Sequence, residues 1–125
     1  EVAAGPARPA MSLIIWDTDG SYSDAIFKHI YMKQAAAALI VGDISRPPSL
    51  DAMAKLANGF AATFPGRHFS FIVNKTDLVS NPDQVPLPGP LVQPAQALIR
   101  TSAKTGQHVQ KAFVDAADCI ARRGL

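Results

Sequence analysis

A chain of 125 residues has room for one domain and can bury a real core. Hydrophobic content of 48% and charged content of 18% exclude a disordered chain, and a net charge of +2 with no basic block gives no nucleic-acid footprint. One cysteine, Cys119, excludes an internal disulfide and a cysteine-based zinc site, and no apolar run approaches the ~18 residues of a membrane span.

Residues 1–10 are small and contain two prolines, which reads as a linker or the remnant of a hairpin. Residues 12–16 form a β-rich run, followed by turn chemistry from Asp17 to Gly20. A short helix is expected over 22–35. A second buried strand spans 36–41 and is closed by Gly42-Asp43. Pro47-Pro48-Ser49 opens a helix, with Ser49 expected as its N-cap. Leu50, Met53, Ala57, Phe60 and Phe64 recur at three- and four-residue steps and mark one apolar face, until Pro65-Gly66 stops the helix. A third strand is expected over 69–73 and a short fourth over 98–101. The last helix carries Val109, Phe113, Ala116 and Ile120 on one face and ends near Arg122. Between these, Pro82, Pro86, Pro88, Pro90 and Pro94 remove backbone donors, so 79–97 reads as an extended surface loop with at most one turn near 91–97. Such a pre-extended segment also suits a proline-recognising domain. Strand and helix in alternation predict an α/β domain, residues 11–125, with a mostly parallel sheet.

In open parallel sheets, ligands bind outside the carboxyl ends of the strands. Three polar segments fall there: Asp17-Thr18-Asp19-Gly20, Asn74-Lys75-Thr76-Asp77 and Thr101-Ser102-Ala103-Lys104-Thr105-Gly106. The second joins an amide, a cation and a carboxylate behind a buried strand. Its Asp77 carboxylate can accept both hydrogens of the N1/N2 edge of guanine, a pair no other common base offers. An isolated Asp at a strand end more often caps a turn; three such segments together argue for a site. His29, His68 and His108 have no spaced partner and receive no metal role.

These segments carry a resemblance. Trp16-Asp17-Thr18-Asp19-Gly20 resembles the WDTAG motif of Ras-superfamily small GTPases, Asn74-Lys75-Thr76-Asp77-Leu78 their NKxDL, and Thr101-Ser102-Ala103-Lys104 their TSAK. Order and spacing are most similar to the Rab-like branch, over residues 11–123. The resemblance implies a three-layer P-loop NTPase-like α/β domain that binds GTP or GDP with Mg²⁺ and acts as a switch. Asn74, Lys75, Asp77, Ser102, Ala103 and Lys104 would form the nucleotide-binding set. Within it, Asp77 would hold the N1/N2 edge, Asn74 would brace the loop beside N7/O6, and the Ala103 amide would donate to O6. The stems of Lys75 and Lys104 would line the faces of the base. Asp17 would hold Mg²⁺ through water, and the Gly20 amide would meet a γ-phosphate, with Ser21 at the neighbouring catalytic position. Regulatory or effector proteins would bind through 20–35, and the expected location is cytoplasmic.

The departures matter equally. No glycine is followed by lysine, so the phosphate-binding motif G-x-x-x-x-G-K-[ST] is missing from these residues. The Mg²⁺-binding threonine of the family's first switch has no counterpart. Ser21 stands where the family has a water-orienting glutamine, and the Asp19 carboxylate would repel a γ-phosphate. Hydrolysis is therefore expected to be weak or absent. A pseudo-GTPase serving as a protein–protein interaction module is the alternative. The domain would be incomplete at its N-terminal strand–loop–helix, a unit of about 30 residues. That unit could precede residue 1, come from another segment or a partner, or be bypassed by pairing 12–16 with 36–41. The first is favoured, because the chain begins with Glu1.

Overall fold

A computed structural model describes residues 36–93 and 97–122. The linker expected at 1–10, the strand at 12–16 and the helix at 22–35 lie outside the described residues. So do Asp17, Gly20 and Ser21.

Among the described residues, five strands and α-helices follow in chain order: β1 (Ala37–Asp43), α1 (Pro47–Thr63), β2 (His68–Asn74), β3 (Leu98–Arg100) and α2 (Val109–Arg122). The sheet is parallel throughout, in the order β1-β2-β3, with Ile40 opposite Phe71, Asp43 opposite Asn74 and Ile72 opposite Ile99. Parallel strands need crossovers, and these place helices on the faces. α1 packs on one face, where Ile40, Ile44, Leu50, Met53, Ala57, Phe71 and Val73 form the main core. α2 covers the other face, where Ile72 and Ile99 meet Ala112. The result is the three-layer α/β arrangement expected from the sequence. β2 is buried on both faces, which explains its largely apolar sequence; Ser70, the polar residue within 69–73, is buried as well.

Gly42 sets the distance between β1 and α1. A Cβ at this position would collide with Sδ of the fully buried Met53 and lie 3.3 Å from Leu50 Cδ2. The bare backbone lets the helix seat these side chains against the strand. The predicted stripe of α1 is the buried one: Leu50, Met53, Ala57 and Phe60 face the sheet, and Phe64 is also buried just beyond the helix end.

Three local expectations need correction. Ser49 is not the N-cap of α1; Arg46 holds that position and the two prolines fill the first helical places. A proline there loses no intrahelical bond, so the helix starts three residues earlier than a serine cap implies. On α2, the fully buried residues are Ala112, Ala116 and Ala117, while Val109, Phe113 and Ile120 are only half-buried. Alanines let the helix approach the sheet closely, and the larger side chains flank that contact. The proline-rich segment is not a free surface loop. It forms short 3₁₀ turns at Pro82–Gln84 and Gly89–Leu91. Leu91 is fully buried in the main core, and Val79, Val85 and Leu87 are partly buried against that same core. Pro82 opens its turn where a missing donor costs nothing, so proline here punctuates a stitched segment instead of extending it.

Candidate guanine-base site

The carboxyl ends of β2 and β3 lie side by side, and two loops leave from them. Backbone bonds lace the loops together: Thr101 N–H donates to the Val73 carbonyl at 2.8 Å, and Thr76 N–H to the Thr101 carbonyl at 3.1 Å. Lys75 turns the chain through the left-handed region, with φ 65° and ψ 34°, into a 3₁₀ turn at Thr76–Leu78. That conformation is costly for a residue with a side chain and persists only where neighbours fix it. The second loop closes on itself. Gly106 N–H donates to the Ser102 carbonyl at 2.7 Å, and Ser102 N–H to the Gln107 carbonyl at 3.1 Å. Gly106, at φ 85°, supplies the left-handed step that this reversal requires. His108 is also left-handed, at φ 60°. Its Nδ1 lies 2.9 Å from the Arg100 carbonyl, which can only accept, so Nδ1 carries the proton.

Side chains then tie the polar residues of one loop to those of the other. Asn74 Oδ1 accepts from Thr101 Oγ1 at 3.0 Å and from Ala103 N–H at 3.1 Å. The amide proton identifies the Asn74 atom as oxygen, and its Nδ2 keeps two hydrogens for an outside acceptor. Asp77 Oδ1 accepts from Ser102 Oγ at 2.7 Å, and that hydroxyl also accepts from Thr105 N–H at 3.1 Å. Ser102 is 1% exposed, whereas Asp77 stands on the surface. A buried hydroxyl thus aims an exposed carboxylate, whose second oxygen has no hydrogen bond among the described residues.

Lys75 is held from the opposite side. Its Nζ lies 3.2 Å from Asp43 Oδ2 at the end of β1. Asp43 Oδ1 accepts from Ser45 N–H at 2.9 Å and Ser45 Oγ at 2.6 Å. The Ser45 hydroxyl is the main reason the Asp43 carboxyl sits below the usual carboxylate range. Partial burial works against it, and the Ser45 amide and Lys75 reinforce it.

All six described members of the sequence-derived set, Asn74, Lys75, Asp77, Ser102, Ala103 and Lys104, therefore fall in one loop pair at the expected end of the sheet. One detail differs from the expected roles: the Ala103 amide points at Asn74 Oδ1, because the reversal at Ser102 carries it over that side chain. The sequence reading did not find Asp43, which it took only as a strand end. Its partner across the strands follows from register. Among the described residues no group of acidic, histidine or cysteine side chains could hold a metal. None of their helices is long and apolar enough to cross a membrane.

Donors, acceptors and cations clustered this way can read a planar base with a donor edge and a carbonyl edge. A sequence model of the Ras family matches residues 6–122. Ras-related protein Rab-17 from Homo sapiens is 33% identical over 118 residues, covering 91% of this chain and 56% of that protein. The chain thus spans little more than half the length of this relative. With the family model covering nearly the whole sequence, and a Rab protein among its relatives, the chain belongs to the Ras family as a Rab-like, small GTPase-like domain.

Proposed function

We propose that the loops after β2 and β3 are the guanine-reading half of a GTP/GDP switch whose own hydrolysis is weak or absent. The observation that carries this is Ser102: a buried hydroxyl holds one oxygen of the exposed Asp77 carboxylate at 2.7 Å. Fixing that carboxylate in advance removes the entropy cost of ordering it when the N1/N2 edge arrives. Asn74 Nδ2 faces the opposite need, donating to the N7/O6 side. Ala103 N–H reaches O6 by sharing its bond to Asn74. Lys75 and Lys104 supply the flanking stems.

The Ras family generally binds GTP or GDP with Mg²⁺, and we assign the water-mediated Mg²⁺ contact to Asp17. Partner proteins are assigned to residues 20–35. Weak hydrolysis follows from Ser21, which is too short to orient water as glutamine does, and from the Asp19 charge. Those two residues favour a second reading as a pseudo-GTPase that recognises other proteins. Titration with a fluorescent GDP analogue separates the readings. Saturable binding at micromolar concentration or below, abolished by Asp77→Asn, supports the switch. No saturable binding supports the interaction module.

A further inference from the structure

Asn74 and Asp77 are tied toward β3, through Thr101, Ala103 and Ser102. Lys75, between them in sequence, is tied the other way, to Asp43 on β1. The tetrapeptide is therefore held from both flanks. Asp43 is itself firmly placed. It lies opposite Asn74 in the parallel register. Its N–H donates to Ser49 Oγ at 2.9 Å, which fastens it to the first turn of α1, while the single Ser49 hydroxyl proton is shared between the Arg46 carbonyl at 2.8 Å and the Asp43 carbonyl at 3.1 Å. Ser45 fixes its Oδ1, leaving Oδ2 for the lysine. The Asp43 side chain is 14% exposed and that of Lys75 54%, so the anion is the anchored partner and the cation the guided one.

We propose that Asp43 is a positioning residue for base recognition: it fixes the ammonium of Lys75 so that the lysine stem lies as a wall of the base slot. This rests on the guanine reading above. A free lysine carries several rotatable bonds, and ordering them on ligand binding costs affinity. An anchor that pre-selects one stem direction removes part of that cost.

The test is a double-mutant cycle on the affinity for GDP, measured by fluorescent-analogue competition. Asp43→Asn keeps an oxygen acceptor for Ser45 and removes only the charge. Lys75→Met keeps the apolar stem and removes the ammonium, so it breaks the same pair from the other side. Partly exposed ion pairs are worth about two- to fivefold, which is the expected loss for Asp43→Asn. The expected loss for the double variant equals that of Lys75→Met alone, because Asp43 acts through Lys75. A general weakening of the fold would instead multiply with the Lys75→Met effect. Unchanged affinity in Asp43→Asn, or losses that multiply in the double variant, overturns the proposal and leaves the guanine reading intact. Absence of GDP binding by the wild-type protein overturns both.

Discussion

Ser102→Ala removes one hydroxyl and should disturb both stability and recognition. The side chain is 1% exposed, donates to Asp77 Oδ1 at 2.7 Å and accepts from Thr105 N–H at 3.1 Å. A hydrogen bond to a charged group contributes about 1.5–3 kcal/mol and a neutral one about 1 kcal/mol. Both outer partners are exposed, so water replaces much of what is lost, and the expected net destabilisation is about 1–2 kcal/mol. Binding should suffer separately. Asp77 would no longer be held, and re-ordering one carboxylate on each binding event costs about 0.5–1.5 kcal/mol, or roughly two- to twelvefold in affinity. Urea unfolding measures the first effect, and GDP-analogue titration well below the unfolding transition measures the second. A variant that loses stability yet binds GDP as the wild type does would refute the idea that Ser102 aims Asp77.

Other substitutions probe the scaffold. Gly42→Ala forces a methyl against Met53 and Leu50 and should cost about 1–3 kcal/mol in urea unfolding; a neutral result would show that α1 does not rest on that glycine. Leu91→Ala should cost about 2–5 kcal/mol, because the side chain is fully buried in the main core. A loss under about 1 kcal/mol would mean that the proline-rich segment is only draped over the surface. Asp43 gives a pH dependence. Its folded pKa is lowered, so it favours the folded state above the ordinary carboxylate value of about 3.9 and loses that contribution as pH falls through the folded value. Asp43→Asn should therefore flatten the acid limb of a stability–pH profile, and an unchanged limb would argue against the Ser45 and Lys75 contacts.

How much of this was legible in the sequence depended on whether the signal was local. The β2 strand was plain because burial on both faces leaves Phe69, Phe71, Ile72 and Val73 close together, broken only by the buried Ser70. Its end was plain too, since Asn74-Lys75-Thr76-Asp77 cannot continue such a run. The α1 stripe was legible from spacing alone. β1 was read two residues short, because Gly42-Asp43 resembles a turn, while in the sheet those residues continue the ladder to Asn74. The face of α2 was misjudged because alanine carries little apolar signal, although close packing favours it. Between 79 and 91 the prolines masked the spacing of Val79, Val85, Leu87 and Leu91, which decides where the segment sits. At the site, residue types identified the reader loops. The bonds that aim them, Ser102 to Asp77 and Asp43 to Lys75, join residues 25 and 32 positions apart and depend on strand register.

The most direct measurement of the central claim is a GDP titration of the ¹⁵N-labelled protein followed by amide chemical shifts. The account predicts saturable shifts concentrated in residues 74–78 and 101–107, sparing the turns at Pro82–Gln84 and Gly89–Leu91, and much smaller shifts with ADP. Shifts that leave both loops unmoved, or that are equal for the two nucleotides, would contradict a guanine-reading site there.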